Sequence, residues 1–265
     1  MKTPRRTQLK SLAALLVSGI GIGRSGAEGS KAPIVLVHGA WHGAWCWQRV
    51  APLLRAAGHA VFTPTLPGQG ERAAELPAVP SLGTHIEELD RYLKEQRLDN
   101  VVLVGHSYGG IVISGVADRS PERLRTLIYL DALILSPGES IASRAGASWA
   151  ERVRGLQPAY GIPSPPPEAF GVLKPEDQAW VAPLLTRQPL HTFDQPLVLH
   201  HKLGNGVPKV YIECNSPEMP SVSPYKERVR ASKSDWIAYE SLPTGHDAMV
   251  TMPGPLSGLL LKYAG

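Results

Sequence analysis

The stretch from Val101 to Gly110, Val-Val-Leu-Val-Gly-His-Ser-Tyr-Gly-Gly, decides the fold of this chain. It opens with four consecutive apolar residues, which is typical of a strand buried on both faces. Gly105 and Gly109 lie two positions either side of Ser107, and glycine leaves room for a sharp turn that other side chains would block. A helical pattern follows from Gly109 to about Asp118. This strand, turn and helix predict that Ser107 is a nucleophile, whereas the alternative is a glycine-rich turn with an idle serine.

Strand-like runs recur on both sides of this stretch, and helical patterns separate them. The predicted strands are Pro33–Val37, Ala60–Pro64, Val101–Gly105, Thr126–Asp131, Val207–Ile212 and Trp236–Leu242. The predicted helices are Trp45–Ala57, Thr84–Gln96, Gly109–Asp118, Ser223–Ala231 and Pro255–Lys262. Repeated strand–helix units predict an α/β fold, with a mostly parallel central sheet and helices on both faces.

The alternation of strands and helices stops between about residues 133 and 205. This region is weakly periodic and contains four prolines within five residues, at positions 163, 165, 166 and 167. We expect it to form a cap insert over the carboxyl ends of the strands, where such sheets bind ligands. Residues 28–265 then make one domain, since 265 residues suit a single core of ordinary size.

The N-terminus has the layout of a secretory signal peptide. A basic start to Lys10 precedes an apolar run from Leu12 to Ile22 and then small residues to Ala27. Arg5 and Arg6 open a segment similar to the twin-arginine export signal. We expect residues 1–27 to be removed on export to the periplasm or the outside of a bacterial cell, with no stable membrane insertion afterwards. The alternative is a disordered basic tail.

Most of the positive charge belongs to that N-terminus. Five of the 27 basic residues and none of the 23 acidic residues lie in residues 1–27, which leaves 22 basic and 23 acidic residues in the remainder. The net charge of +4 therefore gives no reason to expect a nucleic-acid partner. The sequence does not indicate an oligomeric state.

A serine nucleophile needs a base, and His246 is the histidine that follows the last predicted strand. Enzymes with this serine turn place their catalytic residues in the order serine, acid, histidine. Five other histidines are interpreted as surface or insert residues: His59, His85, His191, His200 and His201.

The developing oxyanion of such a reaction needs two N–H donors. One comes from the residue after the serine, Tyr108, and the other from the loop that follows the first strand. That loop begins with Gly39 and Ala40, so the Ala40 amide is the second expected donor, and Gly39 and Trp41 are expected to line the substrate pocket.

Cys46 and Cys214 are the two cysteines of the chain. They are interpreted as small buried hydrophobic residues, although an exported protein could also join them in a disulfide. No zinc-binding spacing occurs, and the expected chemistry needs neither a metal nor an organic cofactor.

Three ordered motifs resemble a known family: His38–Trp45, the turn around Ser107, and Gly245–Val250. They are similar to the branch of the α/β-hydrolase fold that contains plant methyl esterases and hydroxynitrile lyases, and above all to its bacterial esterase-like members. The resemblance implies a serine esterase that cleaves a small-molecule ester through an acyl-enzyme intermediate. Hydroxynitrile lyases, lactonases and non-catalytic hydrolase-like receptors are the alternatives.

One departure concerns the acid that orients the catalytic histidine. Members of this branch usually carry an aspartate shortly after the strand that here ends at Ile212, but the sequence Glu213–Met219 contains none. Two substitutes are available, namely Glu218 and Asp131. Asp131 ends the preceding strand, where hydrolases similar to zearalenone lactone hydrolase place their acid, and it is preferred. The alternative for Asp131 is a structural residue that caps the next turn.

Two further positions bear on the lyase alternative. Lyases of this branch carry a threonine just after the first-strand histidine and a lysine just after the catalytic histidine. The matching residues are Gly39 and Asp247, which favours ester hydrolysis. The alternative interpretation of Asp247 is a solvated loop charge.

Overall fold

The computed structural model describes residues 31–265, which build one sheet of six parallel strands. The strands are β1 Ile34–Val37, β2 Val61–Phe62, β3 Val101–His106, β4 Leu124–Leu130, β5 Lys209–Cys214 and β6 Ala238–Leu242. Their order is β2-β1-β3-β4-β5-β6, so β3 lies between β1 and β4 near the centre. Every residue of β3 is buried, as its unbroken apolar run predicts.

Within residues 31–265, ten α-helices connect or cover the strands. They are α1 Ala51–Ala56, α2 Leu82–Glu95, α3 Gly109–Arg119, α4 Ile141–Ala145, α5 Ala147–Arg152, α6 Pro175–Val181, α7 His191–Asp194, α8 Ser223–Ala231, α9 Ala248–Thr251 and α10 Pro253–Lys262. Short 3-10 helices cover Ala44–Trp47, Gly70–Ala78, Pro121–Arg123, Pro158–Tyr160, Pro167–Phe170, Ala182–Leu184 and Lys233–Asp235. The predicted α/β class and parallel sheet are confirmed.

The largest local difference from the sequence-based prediction lies after β1. The helix expected over Trp45–Ala57 is split into a 3-10 turn at Ala44–Trp47 and a short α1 that begins at Ala51. Pro52 explains the break, because proline lacks an N–H donor and fits only the first turn of a helix.

The region between residues 133 and 205 contains helices α4 to α7, and none of its residues joins the sheet. It packs on the domain through buried aromatic side chains, of which Trp149, Phe170 and Phe193 belong to the main core. An isolated antiparallel bridge pairs Ile162 with Gln188. Apolar packing thus holds this insert where regular periodicity is lacking.

The predicted signal peptide, residues 1–27, lies outside the described residues. Within residues 31–265, no helix is long and apolar enough to cross a membrane. Cys46 and Cys214 are both buried and both free, so they are small core residues and not a disulfide.

Candidate active site

Ser107 lies in a strained turn between β3 and α3. Its φ is +53°, in the left-handed region that non-glycine residues rarely adopt. Its amide donates to the Leu130 carbonyl at 3.0 Å, and its own carbonyl accepts from the amides of Gly110 at 3.0 Å and Leu133 at 3.1 Å. These backbone bonds fix the turn, and they tie it to the end of β4.

The two glycines that flank Ser107 are required by close backbone approach. A Cβ on Gly105 would lie 2.6 Å from the Gly109 carbonyl oxygen, and a Cβ on Gly109 would lie 2.8 Å from the His38 carbonyl oxygen. Neither contact can be relieved by rotating a side chain, because both partners are backbone atoms. The pattern recognised in the sequence thus has a steric cause.

His246 lies after β6 and is hydrogen bonded to Asp131. Its Nδ1 is 2.6 Å from the Asp131 Oδ2, and both side chains are almost fully buried. Asp131 Oδ1 also accepts from the Cys214 amide at 2.9 Å and lies 3.0 Å from the ammonium of buried Lys226. Burial raises the pKa of the Asp131 carboxyl, but the bond from His246, the Lys226 charge and the Cys214 amide outweigh it and lower that pKa overall. Asp131 is therefore a carboxylate.

Glu218, the other candidate acid, lies apart from His246. Its side chain is 43% exposed and accepts a bond of 2.9 Å from the Ser223 hydroxyl. Its nearest charged partner is Lys226, 3.7 Å away. The geometry brings Asp131, and not Glu218, to the imidazole.

The expected oxyanion donors lie in the two loops predicted to hold them. Ala40 and Ser107 line one cavity, and Tyr108 is fully buried directly after the serine. Among the hydrogen bonds of residues 31–265, none uses the amide of Ala40 or Tyr108 as a donor to a protein acceptor. Both N–H groups are therefore without a protein acceptor in the described part of the chain.

The cavity that Ser107 enters has a volume of about 390 Å³. Apolar and aromatic side chains form most of its wall, and its charged groups are two arginines. The lining residues are Ala40, Trp41, Ser107, Leu133, Ile141, Arg144, Ala145, Ser148, Trp149, Arg152, Pro165, Phe193, Met219, Ser221, Val222, Pro224 and Tyr225. Most of them come from the cap insert and from the segment after β5.

Trp41 joins the first-strand loop to the insert. Its amide donates to the Gln188 side-chain oxygen at 3.0 Å, and its indole N–H donates to the Ile162 carbonyl at 3.2 Å. Gly39 lies against the turn, since a Cβ there would be 2.9 Å from the Ser107 Cβ. The first-strand loop, the serine turn and the insert thus meet at the cavity.

Two of the interpretations made from sequence are wrong. His59 and His85 are buried, not on the surface, and their ring nitrogens bond to main-chain carbonyls of Ala32 and Pro67. Asp247 is not a solvated loop charge either: it is fully buried, with its Oδ2 3.0 Å from the His42 Nε2. Sequence reasoning missed His42 altogether, although His42 and Asp247 both lie inside the family-like motifs.

Three buried histidines of the site region are neutral. Burial lowers the pKa of His38 to about 3, of His106 to about 3 and of His85 to about 4. His106 Nε2 donates to the His246 carbonyl at 3.1 Å, so it braces the loop that carries His246.

One group of side chains has the spacing of a metal site. Ligand atoms of His106, His246 and Asp247 lie within 4.8 Å of one another. Hydrogen bonds already engage each of these side chains, to the His246 carbonyl, to Asp131 and to His42 respectively. Each of these side chains therefore has one atom in a hydrogen bond, and the Asp247 Oδ1 and the His106 Nδ1 have none within residues 31–265.

Comparison with known proteins identifies the family of this chain. A family model described as "Alpha/beta hydrolase family" matches residues 34–257. A carbendazim hydrolyzing esterase of Nocardioides sp. (strain SG-4G) is 38% identical over 237 residues, which cover 85% of this chain and 97% of the relative. Methylesterase 1 of Arabidopsis thaliana is 38% identical over 109 residues, 40% of this chain and 41% of the relative.

A solved structure shows the same fold. It is an extracellular alpha/beta-hydrolase from a Paenibacillus species, with a TM-score of 0.75 and 23% identity. The match covers 88% of this chain and 99% of the other.

Proposed function

Since this chain belongs to the α/β-hydrolase family, in its branch of bacterial esterases and plant methyl esterases, and is a carboxylic ester hydrolase, we propose that it works through an acyl-enzyme on Ser107. The observation that carries the proposal is the 2.6 Å bond between the His246 Nδ1 and the buried Asp131 carboxylate. It leaves Nε2 as the nitrogen that can act as a base.

In the first half of the reaction, the Ser107 Oγ attacks the ester carbonyl while the His246 Nε2 takes its proton. The charge on the carbonyl oxygen is stabilised by the amides of Ala40 and Tyr108. His246 then returns the proton to the departing alcohol, which leaves the acyl group on Ser107.

In the second half, His246 takes a proton from water, and the hydroxide attacks the acyl group. The proton goes back to the Ser107 oxygen as the acid product leaves. Throughout, Asp131 holds the imidazole in the tautomer with Nδ1–H and stabilises its protonated form.

The volume and the mostly apolar wall of the cavity support small esters with apolar substituents. A volume of about 390 Å³ lies at the lower end of the range for small-molecule sites. We expect hydrolysis of short-chain aryl or methyl esters, and carbendazim is a natural probe because the bacterial relative is named for hydrolysing it.

Cyanohydrin cleavage is disfavoured by the residue after His246. Asp247 is a buried carboxylate that pairs with His42, so this position supplies no cation to hold a departing cyanide. We expect no cyanide release from mandelonitrile above background. Cyanide release together with inert esters would contradict the esterase proposal and leave the fold untouched.

The nucleophile is tested by labelling with a fluorophosphonate. The reagent should modify Ser107, and Ser107→Ala should abolish both labelling and hydrolysis of p-nitrophenyl acetate. Ser221→Ala is the matched control, since Ser221 lines the same cavity and should keep both. Labelling of another serine, or activity in Ser107→Ala, would show that the mechanism is wrong. Absence of any turnover or labelling across an ester and lactone panel would instead indicate a receptor.

A further inference from the structure

His42 is a buried histidine whose two ring nitrogens both face acceptors. Its Nδ1 lies 2.7 Å from the Ala40 carbonyl oxygen, and its Nε2 lies 3.0 Å from the Asp247 Oδ2. A carbonyl oxygen and a carboxylate oxygen can only accept. Two arrangements satisfy both bonds: a neutral Asp247 acid that donates to a neutral ring, or a ring protonated on both nitrogens that donates to an Asp247 carboxylate.

The surroundings favour the second of these arrangements. Burial lowers the pKa of His42, but attraction to Asp247, the bond to its carboxylate and the bond to Ala40 raise that pKa overall. Burial likewise raises the pKa of Asp247, whereas its interactions with His42 lower it overall. The proton accordingly belongs to the imidazole.

Other titratable groups face this pair, namely His38, His106 and His246. His38 and His106 are neutral because their pKa is near 3, and His246 is engaged by Asp131. The His106 Nε2 is 3.7 Å from the Asp247 Oδ1, and that oxygen has no hydrogen bond in residues 31–265. His42 is thus the cation that compensates the Asp247 charge.

The pair acts on the peptide between Ala40 and Trp41. His42 holds the carbonyl oxygen of this peptide, and the Gln188 side chain holds its N–H at 3.0 Å. Trp41 has a φ of +64°, a left-handed conformation that a large side chain does not adopt without support from its neighbours. Opposed hydrogen bonds on one peptide supply that support.

We propose that His42, kept doubly protonated by Asp247, is a positioning residue that fixes the Ala40 backbone from its carbonyl side and so limits how the Ala40 amide can turn relative to the oxyanion. That amide belongs to the preceding peptide, whose Gly39 carbonyl lies 2.8 Å from the His38 Nδ1. The inference rests on the proposed function, because only that function provides an oxyanion for the Ala40 amide to bind. Donors of this kind work when they are aimed before the reaction begins and need not move as charge develops. Neither His42 nor Asp247 is among the residues that line the cavity.

The first measurement needs no variant. In protein labelled with ¹⁵N-histidine, the His42 resonances should show a proton on both nitrogens at pH 7, above the ordinary pKa of histidine. A neutral His42 at that pH would overturn the proposal whatever the activity of the enzyme.

The second measurement uses Asp247→Asn. The asparagine amide can donate to a neutral Nε2, so the ring should lose its charge while the shape of the site is kept. We expect kcat to fall about tenfold, less than the 10²–10³ of a lost oxyanion donor, with KM within about twofold. Affinity for a trifluoromethyl ketone, which forms an oxyanion adduct, should fall by a similar factor.

Asp177→Asn is the matched control for a structural effect. Asp177 is also buried and paired with a cation, Arg49, but it lies on α6 and bonds neither His42 nor the Ala40–Trp41 peptide. It should lower the melting temperature and leave kcat and the inhibitor affinity unchanged. An Asp247→Asn enzyme with wild-type kcat and inhibitor affinity would refute the positioning role. Failure of the wild-type enzyme to be labelled at Ser107 would instead refute the proposed function.

Discussion

Replacement of Asp131 by asparagine tests two contributions of its carboxylate, namely the orientation of His246 and the stabilisation of the buried Lys226. In the folded protein this side chain accepts from His246 at 2.6 Å and lies 3.0 Å from the ammonium of Lys226. An amide can present either its oxygen or its NH₂ group to the imidazole, so the tautomer with Nδ1–H is no longer imposed. It also brings no negative charge to stabilise the imidazolium or the buried lysine.

The expected losses of kcat and of folding free energy can each be given a size. In serine proteases the same change costs about 10⁴ in kcat, which corresponds to about 5.5 kcal/mol of transition-state stabilisation. Lys226 is fully buried and keeps only the Cys214 carbonyl and the more distant Glu218 as partners. Removal of one member of a buried ion pair costs about 3–5 kcal/mol of folding free energy. Asp131→Asn should therefore be both nearly inactive and clearly less stable.

The assay compares p-nitrophenyl acetate turnover with urea unfolding for a small set of variants. Glu218→Gln should stay within about twofold of wild-type kcat and about 0.5 kcal/mol of its stability, since that side chain is 43% exposed. Lys226→Met in the Asp131→Asn background removes the orphaned charge, so it should restore stability and leave kcat low.

Two results would refute the reasoning. A folded Asp131→Asn enzyme within tenfold of wild-type kcat would show that this carboxylate does not orient His246. A severe loss in Glu218→Gln alone would show that the acid comes from the segment after β5.

Three further predictions follow from other parts of the molecule. His38, His85 and His106 are neutral in the folded state, so the unfolded chain binds three more protons below pH 6.5. The free energy of unfolding should therefore fall by about 4 kcal/mol per pH unit between pH 6 and 4. A urea midpoint that stays constant over that range would contradict this prediction. Gly105→Ala places a Cβ 2.6 Å from a backbone oxygen and should slow fluorophosphonate labelling of Ser107, whereas Gly258→Ala on α10, with no atom within 4 Å of its Cβ, should label normally. Periplasmic or secreted protein should begin between about residues 24 and 30 by mass spectrometry, and full-length protein confined to the cytoplasm would argue against export.

The sequence by itself determined the features that depend on neighbours along the chain. The buried strand β3, the turn at Ser107 and helix α3 are encoded within residues 101–119, because the apolar run and the two glycines act locally. The order of strands and helices likewise follows from local periodicity. His246 could be singled out by its place after the last strand, and helix α8 has the bounds Ser223–Ala231 expected for it.

Tertiary structure decided which residues far apart in sequence lie in contact. Asp131 and Glu218 both follow carboxyl ends of strands, so no local pattern separates them; the 2.6 Å contact with His246 does, across 115 residues of sequence. His42 and Asp247 are 205 residues apart, and each alone is consistent with a solvated charge. Burial is what gives this pair its role, because a fully desolvated carboxylate needs a cation beside it and only the folded chain shows which one is there.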